Sequence, residues 1–290
     1  MTPPLRVHVP FPSGRPKPER LDKALEFLRD WPVELVCPLL ESTTRWTADP
    51  DYLSGTEAER IQDILGSWLD PEYPLAWCGR GGYGATRLLS FLAAALEGQT
   101  VTPTRLLGYS DITALFALVR TLELDIECVH TPVLTEIFEH PQPDLVLSAL
   151  QGAPCAIPVK NVSSLGTNFE GPIWGGNLAV LASLAGTPWL PKIRDSAILL
   201  EDIDETPYRL DRFVTQLHDS GFFAHTPGVF LGYFTRCGQG SAGRDGVVTR
   251  LQELGVPLLG ELPVGHEPDH HPVFLTHTYR FDSASASLIP

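Results

Sequence analysis

The amino-acid sequence predicts an α/β protein with two domains. The chain has 290 residues, which suits two domains of ordinary size. Short apolar runs alternate with helix-like periodicity in the first half, which is typical of parallel strands separated by helices. Residues 153–176, rich in Gly, Pro, Ser and Asn, predict a linker between domains at 1–152 and 177–290.

The elements of the first half form a regular alternation. Strands are predicted at Leu5–Val9, Val33–Cys37, Leu75–Cys78, Arg105–Gly108 and Ile126–Val129. Helices are predicted at Pro18–Arg29, Glu57–Leu69, Ala85–Leu96, Ile112–Leu122 and Pro143–Gln151. This order predicts a sheet with helices packed on its faces.

The second half is also mixed. Helices are predicted at Asn177–Ala185, Pro207–Leu217 and Val247–Leu254. Strands are predicted at Ser196–Leu200, Val229–Tyr233, Val256–Leu259 and Val273–Arg280. Proline in the first turn of the helix from Pro207 fits a helix start.

The composition indicates which partners and which cellular compartment to expect. The net charge is −14 with only 21 Lys and Arg residues, which argues against a nucleic-acid partner. No apolar run approaches the roughly 18 residues of a membrane span, and the N-terminus lacks a signal-peptide pattern, so we expect a cytoplasmic protein without a membrane partner. The five cysteines form no C-x-x-C pair, and we expect free thiols: Cys37, Cys78, Cys128, Cys155 and Cys237.

Two glycine-bounded turns carry the strongest functional signal. Gly79–Gly84 and Gly108–Asp111 each follow an apolar run and open a helical pattern. The first offers backbone N–H groups, and the second exposes Ser110 at a helix start, where negative charge is favoured. Ser110 is therefore a candidate nucleophile. The alternative is a plain N-cap, although Thr113 stands where a capping box needs Glu or Gln.

Two further residues suit the remaining roles of a serine hydrolase. Glu201 closes an apolar run, at the position where α/β sites gather, and can orient a histidine. His266 follows Pro-Val-Gly on a predicted loop, which suits a general base. His270, His271 and His277 lie nearby, but no H-E-x-x-H or comparable spacing predicts a metal, and no cofactor is expected. His130 is interpreted as a structural residue.

The glycines also admit other interpretations. Gly79, Gly81 and Gly84 match the dinucleotide pattern G-x-G-x-x-G, but the acidic partner would have to be Asp111, at a helix start. A turn whose backbone N–H groups stabilise an oxyanion, with Arg80 binding a substrate carboxylate, agrees better with the position of these glycines. An α/β-hydrolase is disfavoured because Ile112 replaces the second glycine of G-x-S-x-G.

Several blocks together resemble the serine LD-carboxypeptidases that trim bacterial cell-wall peptides. They cover nearly the whole chain in order: Tyr52–Thr56 with Glu59-Arg60, Gly79–Gly84, Gly108–Leu115, Trp174–Leu178, Leu200–Asp202 with Glu205 and Pro207–Arg212, and Pro263 with Gly265-His266.

This resemblance implies a site and an architecture. Ser110 would be the nucleophile, Glu201 the orienting carboxylate and His266 the base, with the N–H groups of Gly82 and Asp111 as oxyanion hole. Further substrate-binding candidates are Arg80, Tyr83, Trp174 and Asn177. The implied fold is an N-terminal α/β domain similar to glutamine amidotransferases and a smaller C-terminal α/β domain, with the active site at their interface, in a homodimer. The implied substrate is a murein tetrapeptide that loses its terminal D-alanine during peptidoglycan recycling.

The chain departs from the family pattern at three places, none of which touches the three candidate catalytic residues, and two alternative functions are also considered. Val9–Gly14 replaces an Ala-Pro-Ser-type turn, His130-Thr131-Pro132 replaces His-Gly-Pro, and Pro272–Thr276 replaces a Leu-Pro-x-Gly segment. One alternative is a microcin-immunity-type serine peptidase that cleaves a peptidyl-nucleotide amide. Another is a noncatalytic nucleotide- or peptide-binding protein.

Overall fold

The chain divides into two compact units. The computed structural model describes residues 3–42, 45, 50–102 and 104–290. The first unit spans residues 1–152 and the second spans 153–290.

The first unit is built on parallel strands. These are β1 (Leu5–His8), β2 (Val33–Val36), β3 (Leu75–Trp77), β4 (Thr104–Gly108) and β5 (Ile126–His130), in the spatial order β5-β4-β3-β1-β2. The helices are α1 (Pro18–Phe27), α2 (Pro38–Glu41), α3 (Glu57–Leu69), α4 (Leu89–Leu96), α5 (Thr113–Thr121) and α6 (Pro143–Leu150). Because β3 and β4 are neighbours and parallel, the turns that follow them emerge at the same edge of the sheet.

Strands β3, β4 and β5 of this sheet are largely buried, as is typical of parallel sheets. Trp77, Leu106, Leu107 and Val129 are all fully buried. Such strands are therefore apolar runs without alternation, which is the pattern that made them recognisable in the sequence.

The second unit contains a mixed sheet. Its strands are β6 (Ile157–Pro158), β7 (Glu170–Asn177), β8 (Ala197–Ile203), β9 (Val229–Thr235), β10 (Leu258–Glu261), β12 (Thr278–Asp282) and β13 (Ser287–Ile289); a short strand, β11 (Val273–Phe274), precedes β12. The order is β10-β9-β8-β7-β12-β13-β6. Strands β7 to β10 are parallel, whereas β12, β13 and β6 pair antiparallel. The helices are α7 (Leu178–Leu184), α8 (Pro207–Asp219) and α9 (Ala242–Glu253).

The α/β class is confirmed, and the differences from expectation are local. Residues 153–176, expected as a linker, carry β6 and most of β7, because their backbone groups pair with β13, β12 and β8. The strand expected at Val273–Arg280 is broken, since Thr276 has φ 76° and interrupts extended backbone. Helix α9 begins at Ala242, earlier than expected.

A membrane span was not expected from composition. Within the described ranges, none of the helices combines the length and apolar character needed to cross a bilayer.

Candidate active site

Ser110 lies in a strained turn directly after β4. Its φ is 62°, a left-handed conformation that a non-glycine residue adopts at an energetic cost. A 3-10 turn, Ser110–Ile112, leads into α5, and the cap position belongs to Tyr109 without any side-chain capping bond. The N-cap interpretation of Ser110 is therefore wrong. The turn presents a half-buried hydroxyl at the carboxyl edge of the sheet.

The glycine turn lies directly against this serine. A Cβ atom built on Gly81 would lie 3.1 Å from Ser110 Cβ and 3.3 Å from its Oγ. A Cβ atom on Gly79 would lie 2.1 Å from the Phe11 ring. Close packing of backbone against neighbouring turns thus explains these two glycines.

Backbone hydrogen bonds fix the glycine turn to the loop after β1. Gly14 N–H donates to the Gly81 carbonyl at 3.0 Å, and Gly79 N–H donates to the Pro10 carbonyl at 2.9 Å. The Thr135 hydroxyl donates to the Gly79 carbonyl at 2.8 Å. The Val9–Gly14 segment, which departs from the family pattern in sequence, is therefore part of the scaffold of this site.

Arg80 and Tyr83 project from the same turn. The Arg80 side chain is half-buried, and burial lowers the pKa of its guanidinium, while Glu136 opposes this shift. Glu136 in turn accepts a 2.6 Å hydrogen bond from the Tyr109 hydroxyl. The Tyr83 ring is 51% exposed and lies 6.0 Å from the ring of Tyr52, which is also exposed. The glycine turn that packs against Ser110 therefore carries a cation and an exposed aromatic ring.

In the second unit, His266 is hydrogen-bonded to a buried carboxylate. His266 Nδ1 lies 2.8 Å from Glu201 Oε2; the Glu201 side chain is fully buried and that of His266 is 11% exposed. A carboxylate only accepts hydrogen bonds, so Nδ1 of His266 carries the proton. In the neutral ring Nε2 is then the hydrogen-bond acceptor. A Cβ atom on Gly265 would lie 3.0 Å from Glu201 Oε2, so glycine lets the loop approach the carboxylate. A carboxylate in this position can orient an imidazole for proton transfer.

The neighbouring acid has a different role. Asp202 accepts hydrogen bonds from Asn177 Nδ2, Ala179 N–H and Ile203 N–H, each at 2.9 Å. Burial, followed by the adjacent Glu201 charge, raises the pKa of the Asp202 carboxyl to about 7. Asp202 thus ties β8 to the start of α7.

Trp174 and Asn177 have partners inside their own unit. Trp174 is 1% exposed and makes an edge contact with Phe222, at 6.3 Å between ring centroids. Asn177 Oδ1 accepts from Val180 N–H at 3.0 Å and caps α7. Both side chains stabilise the end of β7.

The remaining histidines do not assemble a metal site. In the part of the chain that the structure describes, no three His, Cys, Asp or Glu side chains cluster in a way that could hold a metal ion. His130 is fully buried and contacts the Tyr109 ring edge-on at 5.8 Å. The five cysteines are free thiols.

Comparison with known families supplies the decisive observation. Residues 7–130 match the model of the LD-carboxypeptidase N-terminal domain, and residues 170–281 match that of the LD-carboxypeptidase C-terminal domain. The chain belongs to the LD-carboxypeptidase family. It is accordingly a hydrolase of the carboxypeptidase class. Ser110 lies in the N-terminal match, and Glu201 and His266 lie in the C-terminal match.

Individual relatives agree with this assignment. The murein tetrapeptide carboxypeptidase of Pseudomonas aeruginosa is 32% identical over 236 residues, covering 74% of this chain and 74% of that protein. The crystal structure of muramoyltetrapeptide carboxypeptidase from Oxalobacter formigenes matches with a TM-score of 0.79 at 23% identity, covering 98% and 97% of the two chains. MccF in complex with glutamyl sulfamoyl guanosine matches with a TM-score of 0.78 at 20% identity, covering 99% and 96%. The two structures show that the fold is shared.

Sequence reasoning missed several side chains that shape this LD-carboxypeptidase site. Asp111 was considered as a backbone donor and as the acid of a disfavoured dinucleotide pattern, but its carboxylate accepts a hydrogen bond from Ala85 N–H. Arg60 entered only as part of a motif, yet it is fully buried and bonds two backbone carbonyls. The available signal was the position of Arg60 on the helix face that also carries Ile64 and Trp68, because charged residues are almost never fully buried unless paired.

Proposed function

We propose that the protein is a serine LD-carboxypeptidase that releases the C-terminal D-alanine from murein tetrapeptides, with Ser110, Glu201 and His266 as its triad. The observation that carries the proposal is the bond between the buried Glu201 carboxylate and His266 Nδ1. A buried carboxylate behind a part-exposed imidazole is costly for stability alone and useful for proton transfer. The Pseudomonas aeruginosa relative, named for murein tetrapeptides, supports the substrate class.

The reaction is an acyl transfer. His266 Nε2 takes the Ser110 proton, and the serine oxygen attacks the carbonyl of the last peptide bond. The N–H groups of Gly82 and Asp111 stabilise the oxyanion. His266 then protonates the leaving amine of D-alanine, and water hydrolyses the acyl-enzyme by the same route in reverse.

Substrate recognition is proposed for side chains beside the glycine turn. A carboxypeptidase must hold a free terminal carboxylate, and the Arg80 guanidinium is a suitable partner. Tyr83 would line the path of the peptide. Trp174 and Asn177, expected as substrate contacts, are proposed instead to act indirectly, because their side chains are occupied within the second unit.

The substrate test compares two tetrapeptides that differ only at the last centre. With carbonyl and carboxylate both held, inverting that centre misplaces the methyl group or the carbonyl, and about 1 Å of misplacement costs on the order of a hundredfold in rate. We expect release of free alanine from the peptide ending in D-alanine at least that much faster. Equal rates would refute LD specificity while leaving a serine hydrolase.

A serine-directed phosphonate tests the nucleophile itself. We expect one covalent adduct on Ser110 and none on the Ser110→Ala variant. A noncatalytic binding protein would not be labelled. Activity of Ser110→Ala within about tenfold of the native enzyme would remove the assignment.

The microcin-immunity alternative has fold similarity as its support. MccF shares the fold at 20% identity, whereas the murein relative is 32% identical. We therefore favour the cell-wall substrate. A peptidyl-nucleotide amide assayed in parallel would favour the alternative if it were cleaved faster than the tetrapeptide.

Compartment and assembly are part of the same proposal. A role in peptidoglycan recycling implies a cytoplasmic enzyme, and the family resemblance implies a homodimer. Light scattering after gel filtration should give twice the chain mass of 31.8 kDa. Fractionation of the source cells should place the enzyme with cytoplasmic markers.

A further inference from the structure

The Asp111 side chain joins the nucleophile turn to the glycine turn. Asp111 follows Ser110 directly and is 3% exposed. Its Oδ2 accepts a hydrogen bond from Ala85 N–H at 2.8 Å. Ala85 is the first residue after the Gly79–Gly84 turn and begins a 3-10 turn, Ala85–Leu88. A carboxylate attached to one turn thus holds the end of the other.

A second buried side chain holds the adjacent backbone group. Arg60 lies on α3, is fully buried, and its Nη1 donates to the carbonyls of Pro12 at 2.7 Å and Gly84 at 3.0 Å. A Cβ atom on Gly84 would lie 2.7 Å from that nitrogen, so glycine is required for this contact. Two consecutive backbone groups, the Gly84 carbonyl and Ala85 N–H, are therefore fixed by side chains from different elements.

The groups around the Asp111 carboxylate favour its charged form. Burial raises the pKa of the Asp111 carboxyl, and the Ser13 hydroxyl, Ala85 N–H and the positive charge of Arg60 act against that shift. A buried carboxylate with these neighbours has a preferred orientation, because turning away from Ala85 would cost it one of the few groups that compensate its burial. The contact is therefore stiff.

Stiffness matters here because the oxyanion donors come from both turns. Donors must lie about 2.7–3.1 Å from the developing oxyanion, so a small slip of one turn past the other weakens the hole. We propose that the Asp111 carboxylate is a positioning group that holds the Gly79–Gly84 turn in register with Ser110, so that Asp111 contributes both a backbone donor and the clamp for the other donor's turn. This inference rests on the proposed acyl-transfer function.

The test separates the clamp from general stability. Asp111→Ala is expected to lower kcat about 100-fold, as loss of one oxyanion donor does, with KM within threefold of native. Asp111→Asn keeps an oxygen that can accept from Ala85 N–H, and we expect kcat within about tenfold of native. Asp70→Ala is the matched control, since Asp70 Oδ1 accepts from Glu72 N–H at 2.9 Å just before β3, at the other edge of the sheet. It should leave kcat unchanged.

Each outcome decides the point. Unchanged kcat in a folded Asp111→Ala protein would overturn the clamp, and so would an Asp111→Asn variant as impaired as Asp111→Ala, which would show that charge alone matters. If Asp111→Ala does not fold, Asp111→Asn decides alone, since a loss comparable to that of Ser110→Ala contradicts the proposal. Ser110→Ala assayed in parallel keeps the two proposals distinct: if it stays active, the proposed function fails, whatever Asp111 does.

Discussion

At the scale of single residues, the Glu201 carboxylate holds the imidazole proton of His266 on Nδ1, and we expect the two side chains to act as a unit. Glu201→Gln keeps the volume but replaces an acceptor by a group that can donate, which favours the wrong tautomer. We expect a loss of about 10³–10⁴-fold in kcat, and a similar or greater loss for His266→Ala.

Combination of these variants tests the unit. Either variant combined with Ser110→Ala should be no worse than Ser110→Ala alone, because residues that act together are strongly non-additive. Alanine release from the tetrapeptide is the measurement. If the losses of activity multiplied in the combined variants, Ser110, Glu201 and His266 would not act in the same step.

His8 provides a pH-dependent contribution to stability away from the site. Burial lowers the pKa of His8 to about 4, against an ordinary value of 6.5, and Asp70 opposes the shift. The unfolded chain therefore binds more protons than the folded chain between these values. Stability due to neutral His8 is fully present above pH 6.5 and is lost as the pH falls through about 4.

Replacement of His8 by Phe should flatten this dependence. The ring stays against Tyr73, whose centroid lies 5.0 Å away, but it cannot bind a proton. Between pH 7 and pH 4, the native protein should lose up to about 3 kcal/mol more of its unfolding free energy than the variant does. Urea unfolding at a series of pH values measures the unfolding free energy of both proteins. The same pH dependence in both would contradict the prediction.

At the scale of elements, the glycine turn and the nucleophile turn act as a packed pair. Gly81→Ala would place a methyl group 3.3 Å from Ser110 Oγ, at a position where φ is ordinary. We expect normal folding and a fall in kcat of at least tenfold, because the serine or the oxyanion donors must shift.

Gly246→Ala is the matched control for this substitution. Gly246 lies within α9, and a Cβ atom there meets nothing within 4 Å. Alanine should stabilise the helix by about 0.5–1 kcal/mol and leave activity unchanged. A Gly81→Ala enzyme with native kcat would show that the two turns tolerate separation.

At the scale of the whole molecule, the proposed chemistry needs only protein groups. Activity should survive EDTA, because proton transfer by His266 and backbone N–H donors supply the catalysis. The assay is alanine release before and after dialysis against the chelator. A loss of activity that zinc restores would assign His266, His270 and His271 to a metal site instead.

Much of the fold was predictable because many of its strands are buried on both faces. Runs such as Leu75–Trp77 and Ala197-Ile198-Leu199-Leu200 stand out as apolar segments between helical patterns. The edge strand β6 and its neighbour β13 were not predicted. Ile157–Pro158 and Ser287–Ile289 are two and three residues long, and they are strands because β6 pairs with β13 and β13 also pairs with β12. Segments this short carry no periodicity of their own.

The sequence by itself determined the α/β class, the two glycine-bounded turns, and Ser110, Glu201 and His266 as the residues to consider, because local pattern and residue chemistry suffice for these. The sequence favoured Glu201 over the adjacent Asp202 as the acid that orients a histidine, but only the tertiary structure shows that the Glu201 carboxylate contacts His266. Both Glu201 and Asp202 lie within β8, where successive side chains point to opposite faces, so one bonds His266 and the other bonds Asn177. The bond from Ala85 N–H to Asp111 likewise joins residues 26 positions apart. Local pattern could not predict it, because the packing of β3 beside β4 creates that contact.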